Sequence, residues 1–512
     1  MPDEPFDLSP LEPDEDELPQ RPAPAPGALS PGRARELRAQ QGAAAGADLP
    51  VPARAPAPGS FLLDDVDDVP APDEPPRPWW PMFWRVGAVY LLLYCLPFPL
   101  EQLFGGGDGS GGHNAVVDAA QSVRAGWDDG KRAVVAWFAQ LVTGEELTVF
   151  TNGSGDTSYD WFAALATMLV ALFVGALWHL LRRPREPGPR ARDLLRVYAR
   201  YWLGAWLIFY GLHKAIPLQF GTLRPSQLLA TYGESSPMNL LWTFMAASPA
   251  YTMFVGVAEL LAGVLLLWRS TALLGALMAA AVLVNVAMLN LCYDVPVKLF
   301  SLHLLAVAVL LSARDLGRLV DMFVRNRGAA PVSLWPWPEA GWVRWPVLVL
   351  KVLFVAWLLY VPTSSNISAL LDRLEPQEAP SGTWAVETFT RGDEEVAPFT
   401  EPERWRRIDI SIGERFSRAH VVRADGGATS YVIAVDAAAG TMTWSPIAGP
   451  EEQAPPPFDV SWSQSDPKHL QIRGAIGGAQ VVVDCALVDP AAFPLTTRGF
   501  RWVSERPFNQ HR

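Results

Sequence analysis

The chain has 512 residues, a length that suggests about three or four domains. Hydrophobic residues make up 50% of it and charged residues only 18%, and the mean hydropathy is +0.13 although one long segment is acidic and rich in proline. The remainder is therefore too apolar for the surface of an ordinary water-soluble protein, and that class is excluded. The formal net charge of −12 argues against nucleic acid as a partner.

The acidic segment comprises residues 1–78 and has few large apolar side chains. It contains 16 Asp or Glu, 6 Arg and 18 Pro, so that it carries a net charge of −10. Such a segment cannot bury enough apolar surface to offset its conformational entropy, and we expect it to be disordered. It is either a solvated tether or a docking arm for a basic partner, for example through the acidic run at 64–68. Its start lacks the basic and apolar regions of a signal peptide.

Seven apolar runs after residue 78 are candidates for membrane-spanning helices. A run of about 18 residues can cross a hydrocarbon core of about 30 Å. Trp79, Trp80 and Trp84 head the first run, as residues of a membrane–water interface do. The runs are 83–104, 161–181, 198–216, 251–268, 271–291, 297–312 and 345–361.

Arginine distribution predicts the orientation of these runs. Arginines are concentrated between the second and third runs and after the sixth, and Arg269 lies in the turn between the fourth and fifth. With seven spans all three positions lie on one side, which the positive-inside rule identifies as the cytoplasm. We therefore expect an integral protein of a bacterial inner membrane, with a cytoplasmic N-terminus and an extracytoplasmic (periplasmic) C-terminal domain.

Three segments outside the spans have recognisable patterns. The glycine-rich stretch 105–112 lacks the spacing of a phosphate-binding loop, whereas 115–141 is amphipathic and predicts an interfacial or lid helix. Residues 235–244 predict a capped apolar segment that is too short to span a membrane and is either re-entrant or lies on the surface. The motif Asn152-Gly-Ser-Gly-Asp-Thr157 precedes the second span, and we expect it to cap that helix.

From about Pro380 onward the hydrophobic period changes from helical to alternating. Short alternating runs recur about every ten residues, separated by turns such as Asp425-Gly-Gly427. About eight antiparallel strands in succession predict an up-and-down meander that closes into a small barrel. Trp384 near the start and an arginine near the end, Arg498 or Arg501, are similar to the lipocalin-like pattern. The barrel is then either a cup for a small apolar ligand or a compact domain with a filled interior.

Several polar residues lie within or beside the predicted spans. An ionisable group there raises the free energy of membrane insertion, and such a group is kept for pairing or for function. With the predicted orientation, most of them lie towards the outer side of spans three to six. We expect them to line one outward-facing cavity, next to a helix break at Pro296. The candidate pocket residues are His213, Lys214, Glu259, Asn285, Asn290, Asp294, Lys298 and His303.

The same residues have simpler interpretations. Glu259 with Lys214, or Asp294 with Lys298, can form structural ion pairs that fix helix packing. No HxxxH or HxxE spacing supports a metal site, and we predict none. The three cysteines of the chain, Cys95, Cys292 and Cys485, have neither CxxC nor zinc-binding spacing.

Spans three to six resemble the DoxX/DoxD family of four-helix bacterial membrane proteins. The resemblance rests on three motifs: Tyr210-Gly-Leu-His-Lys214, Gly256-Val-Ala-Glu-Leu-Leu-Ala-Gly263 and Asn290-Leu-Cys-Tyr-Asp-Val-Pro-Val-Lys298. The chain is also similar to longer DoxX-type proteins with added N-terminal spans. The resemblance implies a membrane subunit linked to quinone or thiol redox chemistry. Because the chain has no paired cysteines and no haem or flavin motif, a bound quinone or a redox partner subunit would have to carry the electrons.

These observations give a fold class and three functional hypotheses, of which the redox subunit is preferred. We predict a helical membrane protein of about seven spans with a central DoxX-like bundle, a disordered N-terminal tail and a C-terminal, lipocalin-like β domain. The function is that of a subunit of a quinone- or thiol-linked redox assembly embedded in membrane lipids. The alternative is a non-enzymatic transporter or a lipid- or cargo-binding protein, and the ion pairs alone are also compatible with a scaffold. The predicted domains are 1–78, 79–194, 195–328, 329–365 and 366–512.

Overall fold

The structure is a computed structural model. It describes residues 80–100, 115–149, 153–182, 188–329, 340–374, 380–398, 400–413, 417–447 and 455–503. The chain divides into Met1–Pro75 and Pro76–Arg512, and all described residues belong to the second unit. The predicted disordered tail and the glycine-rich stretch 105–112 lie outside the described residues.

Helices form the described part of the chain up to residue 374. In chain order they are α1 (Trp80–Cys95), α2 (Ala115–Thr143), α3 (Ser158–Arg182), α4 (Pro189–Ala215), α5 (Pro225–Leu229), α6 (Pro237–Ala247), α7 (Pro249–Leu266), α8 (Ala272–Cys292), α9 (Lys298–Ala313), α10 (Leu316–Phe323) and α11 (Gly341–Leu374). A short helix, α12 (Pro494–Thr497), follows the β domain.

Four of these helices are long and apolar enough to cross a membrane: α3, α7, α8 and α11. The pair α9 and α10 would be a fifth if the two form one span, although they are bent by 72° relative to each other. Many apolar side chains on these helices are exposed, such as Phe173 (70%) and Phe254 (69%), as expected for surfaces that contact lipid. The helices indicate a membrane-embedded protein.

Helix α1 has 16 residues, fewer than the predicted run 83–104, and the chain turns after Cys95. Helix α4 contains the predicted third run but begins earlier, so that it also includes the arginines before that run. Helix α11 continues past the predicted boundary at residue 365 to Leu374. The count of seven spans stays a prediction.

Helices α4, α7, α8 and α9 pack in a ring, α4 on α7, α7 on α8, α8 on α9 and α9 on α4. Large side chains fill its centre, among them Trp202, Leu203 and Leu266. Helices α1 and α11 pack against α4 from outside, and α3 packs on α1. The apolar segment predicted at 235–244 forms most of α6, and Ser236 caps its N-terminus by accepting a hydrogen bond from the Asn239 amide.

The C-terminal domain is an antiparallel sheet in which each strand follows its neighbour in sequence. Its strands are β1 (Gly382–Arg391), β2 (Glu394–Glu395), β3 (Trp405–Ser411), β4 (Ser417–Arg423), β5 (Ala428–Asp436), β6 (Thr441–Pro446), β7 (Phe458–Asp466), β8 (His469–Ile476) and β9 (Ala479–Leu487). Strand β1 also pairs with β9, so β1 and β3 to β9 form a closed eight-stranded barrel with β2 at its edge. The predicted up-and-down barrel is confirmed.

Aromatic side chains fill the centre of this barrel. Trp384, Phe389 and Trp444 are at most 2% exposed, and the Trp405 and Trp444 rings stack 5.7 Å apart. The buried arginine of the domain is Arg404, whose guanidinium donates to the carbonyl oxygens of Val396, Glu387 and Trp405. Arg498 is half-buried and Arg501 is exposed.

The filled interior has a measurable consequence for Cys485, which is 1% exposed on β9. Burial raises the pKa of its thiol to about 12, so the reactive thiolate is scarce at about pH 8. We expect N-ethylmaleimide to modify Cys485 only after denaturation, whereas the exposed Cys292 reacts in the native protein. Mass spectrometry of the modified peptides, with and without denaturant, measures both rates. Rapid native modification of Cys485 would contradict the packed interior.

Candidate functional site: buried polar groups of the helical bundle

Lys214 and Glu259 are two buried charges of the bundle that lie on neighbouring helices. Lys214 lies in the last turn of α4 and Glu259 in the middle of α7, and their side chains are 8% and 3% exposed. The Lys214 ammonium donates to both carboxylate oxygens, 2.9 Å from Oε1 and 2.6 Å from Oε2. Each buried charge therefore has its opposite charge at hydrogen-bond distance, as a site shielded from water requires.

Glycines bring α4 and α7 close enough for this contact. A Cβ added at Gly211 would lie 2.5 Å from the Leu260 nitrogen, and one at Gly263 would lie 2.9 Å from the Gly204 oxygen. At Gly256 an added Cβ would meet the backbone of Lys214 and Ala215. The two backbones touch, as in other membrane helix pairs built on small residues.

Asn290 is buried without a hydrogen-bond partner for its side-chain nitrogen among the described residues. It is 6% exposed and continues the buried face of α8 that includes Leu283 and Ala287. Ser301, 3% exposed, lies on the neighbouring α9, where its hydroxyl donates to the Lys298 carbonyl. Asn290 thus leaves one donor available within the bundle.

The motif before α3 connects that helix to α9. Both carboxylate oxygens of Asp156 accept backbone hydrogen bonds at the start of α9, from Lys298 at 2.7 Å and Leu299 at 2.9 Å. The Lys298 ammonium lies 2.7 Å from Asp294 and 3.8 Å from Asp156. Asp156 therefore accepts hydrogen bonds from amides that have no partner within α9, and its negative charge lies at the positive end of the α9 dipole.

The motif 152–157 was predicted to cap the second span, which is α3, but only part of the motif does so. Thr157 and Asp160 cap α3, since Asp160 accepts from the Thr157 amide and hydroxyl. Asp156, in contrast, caps α9. Asn152 lies outside the described residues.

His303 lies between two tyrosines of α1. Its ring stacks on Tyr94 with centroids 4.0 Å apart, and its Nε2 is 2.6 Å from the Tyr90 hydroxyl. Its Nδ1 is 2.7 Å from the Leu299 carbonyl oxygen. A carbonyl oxygen can only accept, so Nδ1 carries a proton. In the neutral imidazole, Nε2 then accepts a hydrogen bond from the Tyr90 hydroxyl. All three rings are half-buried.

The remaining candidates are more peripheral. His213 is half-buried, with Nδ1 2.9 Å from the Phe209 carbonyl oxygen and 3.4 Å from Asn366 Nδ2 of α11. Asn285 is exposed, and the Asp294 side chain is 82% exposed.

The predicted residues thus have different partners. Lys214 pairs with Glu259, Lys298 pairs with Asp294 and Asp156, and His303 contacts α1. Sequence reasoning missed Tyr90 and Tyr94, because they precede His303 by more than 200 residues and an apolar span gives no signal for a tyrosine's partner. It also missed the contact of Arg85, 3% exposed, with His179 Nδ1 at 3.0 Å.

The Lys214–Glu259 pair predicts a strong difference between single and double substitutions. Lys214→Met leaves the Glu259 carboxylate buried without its partner, which should destabilise the protein by about 3–5 kcal/mol. The combination of Lys214→Met with Glu259→Gln should recover most of this loss. Thermal unfolding in nanodiscs measures the effect. Lys298→Met, in a more exposed ion pair, is the control and should cost about 0–1 kcal/mol. Equal destabilisation by the single and double variants would contradict the pairing.

The Asp156 cap predicts a local effect on α9. Asp156→Ala removes the acceptor for the amides of Lys298 and Leu299, and loss of such a cap costs about 0.5–2 kcal/mol. We expect faster amide hydrogen exchange in the first turn of α9, measured by mass spectrometry. Asp294→Asn removes the charge of the exposed partner of Lys298 and keeps a residue type that tolerates the φ of +51° at this position, so it should leave this exchange nearly unchanged. Similar exchange in both variants would rule out the cap.

No family model matches the chain, and no solved structure matches it. Among curated proteins it is similar to the uncharacterized protein YwoB of Bacillus subtilis (strain 168). The two are 34% identical over 124 residues, which make up 24% of this chain and 79% of YwoB. Since the match includes most of YwoB at this identity, the chain belongs to the same protein family as YwoB.

Proposed function

We propose that the protein is the DoxX-type membrane subunit of a quinone- or thiol-linked redox assembly, and that Tyr90, Tyr94 and His303 bind a quinone head group. The observation that carries the proposal is the half-buried imidazole of His303 on an apolar helix, hydrogen-bonded to one tyrosine and stacked on another. This group of side chains is polar, aromatic and partly exposed, and His303 lies on an apolar helix. Such a group suits a quinone, which is aromatic, has polar oxygens and is soluble in lipid.

The hydrogen-bonding pattern suits both oxidation states of such a ligand. The hydroxyl of a quinol can replace Tyr90 as the donor to His303 Nε2, because the Leu299 carbonyl keeps the proton on Nδ1. A quinone oxygen can instead accept from the Tyr90 hydroxyl. Tyr94 stacks on His303 and so fixes the orientation of the imidazole towards the head group. A partner subunit would exchange electrons with the bound ligand.

In this proposal Lys214 and Glu259 have a structural role. Their charges are already paired at 2.6 Å within a backbone contact that leaves little space for a ligand. The pair fixes α4 against α7 and thereby supports α9, on which His303 lies.

We also propose the orientation of the protein in the membrane that the arginine distribution predicts. The N-terminus would lie in the cytoplasm of a bacterial cell and the barrel outside the inner membrane. Arg269, Arg314 and Arg318 near helix ends support it, since such residues favour the cytoplasmic side.

The test is to identify the small molecules that copurify with the protein in mild detergent. We expect mass spectrometry to find a quinone with the wild type and about a fivefold or greater decrease with His303→Phe, which keeps a ring but removes both nitrogens. His213→Phe is the matched control, because His213 is also half-buried but forms no hydrogen bond to a tyrosine hydroxyl within the described part of the chain. A wild type without quinone, or equal amounts in wild type and His303→Phe, would refute the site.

A second candidate function, lipid or cargo binding by the barrel, is favoured by a cavity of about 550 Å³. It lies at the end of the barrel formed by the β4–β5 and β8–β9 turns, and Arg391, Trp405, Arg423 and Tyr431 help to line it. A lipocalin-like barrel would bind its ligand at such an open end. A copurifying molecule that is lost in Arg423→Gln but kept in His303→Phe would favour this function.

A further inference from the structure

We propose that α2 lies in the membrane interface and binds phospholipid through a stripe of five apolar side chains, of which four are largely exposed and Trp127 is half-buried. The stripe consists of Val123, Trp127, Val134, Trp137 and Leu141, spaced four, seven, three and four residues apart. With 3.6 residues per turn this spacing places all five on one side of the helix, along about 27 Å.

The stripe is separate from the face by which α2 packs in the protein. Val123, Val134, Trp137 and Leu141 are between 55% and 68% exposed. Val135 and Ala139, which are buried, lie on a different side, and Phe138 contacts Phe162 of α3 edge to face at 6.2 Å. Packing against α3 thus uses one face and leaves an apolar face without a protein partner among the described residues.

The position of α2 favours lipid as the occupant. Phe162 lies in the second turn of α3, about 6 Å from the start of a helix that is long and apolar enough to cross the membrane. The contact with Phe138 therefore holds α2 near the depth at which α3 enters the hydrocarbon core. Tryptophan, present twice in the stripe, is enriched at that depth, and amphipathic helices bury their apolar face about 5–10 Å into it.

The charges of α2 predict which lipids bind. Arg124, Lys131 and Arg132 balance Asp118, Asp128 and Asp129, so the net charge of the helix is zero. On the polar side Arg124 pairs with Asp128 and Arg132 with Asp129. We therefore infer that binding depends on the apolar stripe and is indifferent to anionic head groups, unlike the binding of basic interfacial helices.

The test uses the full-length protein with Cys292→Ser, because Cys95 and Cys485 are buried. An environment-sensitive fluorophore is attached at Leu141→Cys or Val123→Cys, at the two ends of the stripe. Asp129→Cys, on the polar side with a side chain that is 74% exposed, is the control. The protein is placed in phosphatidylcholine nanodiscs that contain nitroxide-labelled lipid, and quenching by the lipid is compared with quenching by aqueous iodide.

We expect the lipid nitroxide to quench both stripe positions several-fold more than position 129, and iodide to show the reverse order. Replacing part of the phosphatidylcholine by phosphatidylglycerol should leave the ratios unchanged. Strong iodide quenching at 123 and 141 would mean that water covers the stripe and would overturn the proposal. Protection from both quenchers would also overturn it, because a protein partner would then be the occupant. A marked increase with phosphatidylglycerol would overturn the inferred indifference to charge.

Discussion

A charged side chain within an apolar helix is tolerated only when another group compensates its charge, and the bundle depends on this constraint at Lys214 and Glu259. The compensation requires that α4 and α7 approach to backbone contact, and only glycine at positions such as 211 and 256 permits that approach. The ion pair therefore depends on the glycines, because a larger residue at either position would separate the helices that bear the two charges. The packing of α8 and α9 against these helices then positions the remaining polar groups.

Much of the architecture could be predicted from hydrophobic pattern, because a lipid-facing helix and a half-buried strand have different periods. Helices α7, α8 and α9 match the predicted runs within a few residues, and the barrel has eight strands, as the alternating runs predicted. The limits of α1 and α4 were less accurate, since hydropathy does not reveal where the chain turns after Cys95 or that a helix continues through a basic segment. Helix α11 likewise continues beyond its apolar part.

The candidate site could be predicted only as a set of residues. The cost of a charge in a span identified Lys214 and Glu259, and their pairing was one of the interpretations left open. The partner of His303 depended on how α1 packs against the bundle, which no local pattern reveals. Asp156 was recognised as part of a capping motif, but the sequence favoured the adjacent helix, whereas the fold places a different helix end within its reach. Contacts between distant segments are where sequence reasoning was weakest.

The closure of the barrel by β1 and β9 also constrains how the domain can be made. Trp384 on the first strand pairs with Leu487 on the last, so about a hundred residues must be available before the sheet can close. Contacts of such sequence separation form slowly, because the chain must close a long loop before it gains them. Until β9 is available the barrel cannot close, and a sheet of the preceding strands has unpaired edges at β1 and β8. Chains that stop before Ala479 would retain both edges, which are templates for association with other strands and would make shortened forms of the protein prone to aggregation.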